Sequence, residues 1–374
     1  MGESEYPRGY VTKSWAYLGE MNGLAALHYT INEFKCGASM LLRDAPPAIR
    51  DVNVEVLLID QTVMEGGTIA EFLQLPFITV CSALILNPEP EVPPALLPWR
   101  YENDLFMWEV IRNMAGYSAL TLAGLPLWQI INQYRCQWSL PFFYSSAQLW
   151  SNLCQLSQQP PDFEFPRNSL PQCMHFIGPF SNPGSRGNID FPFEKLTGQP
   201  LIYASMGTVQ NRLSWVFTNI AEACAGLDVQ LIISLGGGMN YHSLPALPGS
   251  PLVVDYAPQL ELLARTTLTI THGGLNTVLE SLSNGVPMVA IPITNDQPGV
   301  AARIAWTGTG EVISLSELSV DRLRTAIVQV LNQDSYRKNA AKIQESITHA
   351  GGVIRAANLI EQVVSTGQPA YRLS

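Results

Sequence analysis

Thr271-His272-Gly273-Gly274-Leu275-Asn276-Thr277-Val278-Leu279-Glu280 organises this chain more than any other run in it. It sits between a short apolar strand at 268–271 and a helix that the pattern carries to about residue 284. The first amides of such a helix have no intrahelical partner, and the helix dipole favours negative charge there. A strand-to-helix turn of this kind is therefore an anion site. Gly273 and Gly274 let a ligand come close to the backbone, and His272 can donate to a phosphate oxygen. Asn276 and Thr277 add polar donors in the first turn. Glu280, one turn further on, is an acceptor suited to ribose hydroxyls, with a solvated helix residue as the plain alternative. The stretch reads as a cradle for a nucleoside diphosphate.

Working outward, an apolar run at 285–292 reads as a buried strand and leads to Asp296-Gln297. A carboxylate and an amide side by side at the carboxyl end of a strand suit sugar hydroxyls, although Asp296 equally suits a helix N-cap. Upstream, Tyr256-Ala257-Pro258-Gln259 offers an aromatic face to a base. The ordered set from 256 to 297 resembles the donor-binding signature of nucleotide-sugar glycosyltransferases of the UDP-glucuronosyltransferase and plant secondary-product type. From His272 to Gln297 the spacing fits the plant signature without a gap. Between Gln259 and His272 it is two residues shorter, as in bacterial macrolide glycosyltransferase-like members. Over 199–365 the resemblance extends to bacterial carotenoid (zeaxanthin) glucosyltransferases.

That resemblance implies the GT-B fold, two Rossmann-like parallel-sheet domains facing across a cleft. It implies transfer of a hexose, glucose above all, from a UDP-sugar to a hydroxyl of a lipophilic acceptor such as a terpenoid, sterol or phenol. The reaction would be a single displacement with inversion and would need no metal or other cofactor. The donor set it implies is Ser205, Gly207, Thr208, Tyr256, Ala257, Gln259, His272, Gly273, Gly274, Asn276, Thr277, Glu280, Asp296 and Gln297. Ser205, Gly207 and Thr208 would form the turn beneath the diphosphate. Asp60 falls on the aspartate that orients the family's catalytic histidine, or caps its own turn. The histidine belongs to a first strand and turn with no counterpart here. None of His28, His175, His242 or His349 has a matching context, so the general base stays unassigned. On that resemblance, about two βα units of the family's N-terminal domain are expected to be missing ahead of 54–60. A nucleotide-sugar binder with impaired catalysis is accordingly the alternative reading.

Composition narrows the field. A net charge of −10 and a pI near 5.0 offer no basic field for nucleic acid. Gly236-Gly237-Gly238 is not a dinucleotide fingerprint, since no acidic residue follows at the right spacing. Cysteines 36, 81, 136, 154, 173 and 224 show no CxxC or metal spacing and suit a reducing compartment, so the cytoplasm is expected. The segment 113–134 carries no charge, but Pro126 and several polar residues argue for a buried or pocket-lining helix pair over a membrane span. Peripheral membrane contact stays open.

Along the chain, strands are expected at 54–60, 76–81 and 173–178, then at 201–205, 229–234, 252–255, 268–271 and 287–291, with a short helix at 66–75. A helical stretch is expected at about 19–42, and helices near 319–332, 335–349 and 352–365. Residues 84–150 hold Trp99, Trp108, Trp128, Trp138 and Trp150 with little periodicity, which suits an acceptor pocket or plain core. The expected division is an N-terminal, acceptor-binding domain over 1–180, a linker at 181–198, a nucleotide-sugar domain over 199–351, and a last helix at 352–374 that crosses back.

Overall fold

Short apolar runs become the strands of two all-parallel sheets. In the computed structural model, residues 2–18, 21, 23–102, 106–180, 189–207, 213–237 and 245–372 are described. The first sheet has the order β1 (Leu57–Asp60), β2 (Phe77–Cys81), β3 (Gln155–Ser157) and β4 (Met174–Phe176). Strands β5 (Leu201–Ser205), β6 (Gln230–Ser234), β7 (Leu252–Val254), β8 (Leu268–Thr271), β9 (Met288–Ala290) and β10 (Gly310–Val312) make the second, in the order β10-β9-β8-β5-β6-β7.

Helices cover both faces of the second sheet, as parallel strands require. Successive residues of β5 face opposite layers, so Ile202 and Ala204 enter one core and Leu201 and Tyr203 another. The first layer is closed by α5 (Ser214–Cys224) and α9 (Val320–Asn332) through Phe217, Ile220, Leu323 and Ile327. A third core gathers α7 (Leu275–Ser283), α8 (Gln297–Thr307) and α10 (Asp334–Ala350), and it also takes in Leu84, Ala95 and Phe163 from the first half. The two halves thus share one apolar cluster. Helix α11 (Gly352–Thr366) lies on the first sheet, where Ala356 and Val363 pack with Ile78, Leu156 and Ile177. Beyond it, the Ala370 amide donates to the Leu153 carbonyl at 2.9 Å.

Three elements differ from expectation. Strands β3 and β10 have three residues each and only one apolar residue apiece, too little for an apolar run to show. The segment around 113–134 is one continuous helix, α4 (Met107–Gln137), and not a helix pair, with Pro126 inside it. It is also only partly buried. Leu127 and Ile131 pack against Ala38 of α2 (Gly23–Asp51), while Met107, Trp108, Ile111, Met114 and Leu122 are 53–75% exposed. By length and composition α4 is apolar enough to cross a bilayer. Ahead of β1 the described residues form α1 (Tyr10–Leu18) and α2, and β1 pairs with β2 alone. The short helices α3 (Gly66–Leu73) and α6 (Gln259–Leu263) complete the set.

Candidate active site

Strand β5 ends at Ser205, paired in register with Thr271 at the end of β8. Strands after β5 add on one side and strands after β8 add on the other. The crevice between these two ends is therefore the point where strand order reverses, the place where open α/β sheets bind ligands. His272 stands at its mouth.

The imidazole fills the gap between two glycines. A Cβ at Gly207 would come within 2.7 Å of the ring, and one at Gly274 within 2.5 Å. Gly207 also has φ +78° and Gly273 has φ +81°, a left-handed backbone that side chains resist. Burial pushes His272 down to about 4, and the Ser205 backbone opposes this only in part. The ring is thus neutral at pH 7, with one N–H to donate. Gly274 caps α7 with no side-chain cap bond, which leaves the first amides of that helix to a ligand. Ser205 is 5% exposed, and its hydroxyl accepts the Gly207 amide at 3.4 Å, tightening the turn. Thr208 and Gly238 lie outside the described residues.

Glu280 is 4% exposed and is not a solvated helix residue. Its carboxylate accepts the Gln259 side-chain amide at 2.6 Å, and the same nitrogen reaches the Thr277 hydroxyl at 3.5 Å. The Tyr203 hydroxyl donates to the Gln259 carbonyl at 3.0 Å. Gln259 therefore holds Glu280 in place and spends its own groups on that task. Ala257 is buried beside this network. Tyr256 is 54% exposed and lies across Gly237, where a Cβ would fall 1.9 Å from the phenol oxygen. Its exposed ring is available for stacking.

The carbonyl oxygen of Gln297 accepts the Ile293 and Thr294 amides at 2.9 and 3.0 Å, so the loop before α8 is folded over it. Only its NH2 group remains for a sugar. Asp296 occupies the N-cap position yet makes no side-chain cap bond. Burial raises its pKa, opposed by its own and the Leu84 amide and by Arg303. Leu84 belongs to the first half, so Asp296 faces the cleft. Asn276 does too: its side-chain oxygen accepts the Gln158 amide at 3.0 Å. No sequence pattern points to Leu84 or Gln158, because each acts only once the two halves meet.

Asp60 ends β1. One oxygen accepts the Thr62 amide at 2.8 Å, and the Ser82 hydroxyl donates to the other. This is the turn-capping arrangement, and among the described residues no histidine bonds to it. His175 is tied instead to the Ala370 carbonyl at 2.9 Å, and His28 is exposed on α2. Among the described residues no cluster of three His, Cys, Asp or Glu side chains is placed to hold a metal.

The profile of the UDP-glucoronosyl and UDP-glucosyl transferase family matches residues 140–353, more than half of the chain. Zeaxanthin glucosyltransferase of Pantoea ananas is 34% identical over 371 residues, 99% of this chain and 85% of its own length. Its counterpart in Pseudescherichia vulneris is 33% identical over 87% of this chain and 78% of its own. Among solved structures, the glycotransferase of kitacinnamycin superposes with a TM-score of 0.72 at 22% identity, covering 91% of this chain and 83% of that one. The calicheamicin glycosyltransferase CalG4 gives 0.68 at 19% identity, over 89% and 81%. These neighbours identify the paired sheets as the GT-B fold. With a family profile over its second half and relatives along nearly its whole length, this chain is a glycosyltransferase of the UDP-glucoronosyl and UDP-glucosyl transferase family.

Proposed function

We propose that this enzyme moves a hexose, glucose in our reading, from a UDP-sugar to the hydroxyl of a lipophilic small molecule, with inversion at the anomeric carbon. The observation that carries the donor half is the neutral His272 set between two glycines at the switch point, beside the free amides of α7. Diphosphate oxygens would take those amides and the imidazole N–H, so the charge of the leaving group meets dipoles already in place. On this reading no metal is needed. Glu280, fixed by Gln259, would accept the ribose hydroxyls. Asp296 and the NH2 of Gln297 would hold the sugar, and Tyr256 would stack on the base.

For the acceptor, the support is chemical likeness. Both zeaxanthin glucosyltransferases are named for a lipophilic diol, and the first half of this chain is rich in aromatic and aliphatic side chains. The acceptor oxygen would attack the anomeric carbon and lose its proton to a base, while UDP leaves with the bonding electrons. A cytoplasmic enzyme touching a membrane through the exposed side of α4 would have access to such acceptors. The rival reading, a nucleotide-sugar binder without turnover, draws no support from relatives named as glucosyltransferases over 99% and 87% of this chain.

Calorimetry on Asp296→Ala tests the donor assignment. UDP-glucose affinity is expected to fall by about 1–3 kcal/mol, the range for a lost bond to a charged group, with UDP affinity held. Equal losses for the two ligands would show that Asp296 does not touch the sugar. Release of UDP from UDP-glucose only when a lipophilic alcohol is added would establish transfer, and release without acceptor would argue against it.

A further inference from the structure

Arg303 is the largest side chain with essentially no exposure in the described chain, and it belongs to the helix that presents Asp296 and Gln297. Its partner is Glu164 of the other half, 139 positions away in sequence. Arg303 Nη2 donates to Glu164 Oε1 at 2.6 Å and Nε donates to Oε2 at 2.9 Å, a two-pronged pair. Arg167 Nε adds a bond to Oε1 at 3.1 Å, and the Gln159 amide adds one to Oε2 at 2.7 Å. Four donors thus saturate one carboxylate. Burial alone would raise the pKa of Glu164, but the two guanidiniums outweigh it and keep the group ionised. Arg303 Nη1 returns to the Gly299 carbonyl of its own helix at 3.0 Å, and its plane lies 4.2 Å from the Phe165 ring centroid.

A buried pair of this kind is rarely worth more to stability than apolar side chains of the same size. What it adds is direction, because a planar fork meets a carboxylate in one orientation only. Asp296, the N-cap, lies seven positions before Arg303, close to two helical turns, so the two lie on one side of α8 about 10 Å apart. Contacts from the first half run down that same face. The Leu84 amide reaches Asp296, the Ala95 carbonyl sits where a Cβ of Gly299 would be (1.8 Å), and Glu164 holds Arg303.

We propose that Glu164 and Arg303 are positioning residues for the donor sugar: their buried pair fixes the rotation of α8 against the first half, and so holds Asp296 where the sugar must bind. The inference rests on the donor assignment made above. The nucleotide end of the site, at His272 and Glu280, is built by β8 and α7 and does not depend on this pair.

The test compares binding of UDP with binding of UDP-glucose in the intact chain, by calorimetry, for the wild type, Arg303→Met and the double variant Glu164→Met/Arg303→Met. The single variant leaves Glu164 its bond to Arg167, and the double variant leaves Arg167 the Asn87 carbonyl, so in each the remaining charge keeps a partner and one variant stands in should the other fail to fold. In both, the ratio of the UDP-glucose to the UDP dissociation constant is expected to rise roughly tenfold, within what a displaced contact costs. UDP affinity should stay near the wild-type value. An unchanged ratio in the double variant would overturn the proposal and leave the donor site standing, as would an equal loss for both ligands. A wild type that binds neither nucleotide would bring down the donor assignment itself, and this inference with it.

Discussion

Neutral imidazole donates through one nitrogen, so the worth of His272 depends on where its ring is held. Gly207 and Gly274 hold it, and Gly207→Ala adds both a clash and a strained φ of +78°. We expect Gly207→Ala to weaken UDP binding by about as much as His272→Ala, roughly 1–3 kcal/mol each. The double variant should lose little more than either one, as shared geometry predicts. Additive losses in calorimetry would show that the glycine acts on its own. A second residue-scale effect concerns pH. Glu65 is 5% exposed, and burial pushes its carboxyl up to about 7, its own backbone opposing. The folded state therefore holds that proton more tightly, and stability falls as pH rises from 4.5 to 7. His272 acts in the opposite sense: its folded pKa of about 4 lies below the model-peptide value of 6.5, so stability rises with pH over that range. Each effect is worth about 3 kcal/mol and the two nearly cancel. Urea unfolding of Glu65→Gln at pH 4.5 and pH 7 should show stability climbing, and His272→Ala should show it dropping. Flat profiles in both variants would mean that neither group titrates as described. The sequence made His272 and its glycines legible because a strand-turn-helix pattern surrounds them. Gln259 and Gln297 were expected as ligands, yet each also props a neighbour, because the same side chain serves either task and only contacts decide.

At the scale of elements, α4 shows where patterning runs out. Its apolar residues surround the helix instead of forming a stripe, and Pro126 suggested a break. Proline removes one backbone donor and crowds the carbonyl four residues earlier. Here the helix continues because its second half is pinned to α2 through Leu127 and Ile131. Tertiary packing overrides the local signal. That account makes the two halves of α4 unequal. Ile131→Ala should cost about 2–4 kcal/mol, the price of a buried cavity, whereas Ile111→Ala should cost under about 0.5 kcal/mol. Denaturant midpoints would read both. Comparable losses would mean that the first half of α4 is also buried in solution. Strands β3 and β10 were missed for a simpler reason: Gln-Leu-Ser and Gly-Glu-Val hold one apolar residue each, whereas β7 and β9, equally short, are apolar throughout. Their places were implied only by the parallel architecture around them.

For the whole molecule, the question is whether the two sheets behave as separate bodies. The alternation of strands and helices revealed two parallel sheets, but nothing in a linear pattern announces that Glu164 meets Arg303 or that Gly299 meets Ala95. Such contacts depend on how two finished surfaces fit. Once formed, they merge the halves, since Leu84, Ala95 and Phe163 share a core with Leu279, Val300 and Ile304. Helix α11 fastens the second connection by covering Ile78, Leu156 and Ile177. A molecule joined in both places should unfold as one unit despite its length, with a single calorimetric transition. Removing 352–374 would uncover that apolar face of the first sheet while leaving the shared core beneath α8 intact. The truncated chain is therefore expected to show two transitions, the first sheet melting earlier and the second retaining UDP-dependent stabilisation through mass action. A truncated chain that still melts once, at the original temperature, would show that α11 contributes nothing to joining the halves. A loss of UDP stabilisation along with the first transition would show that the nucleotide site depends on the first sheet, contrary to its construction from β5, β8 and α7.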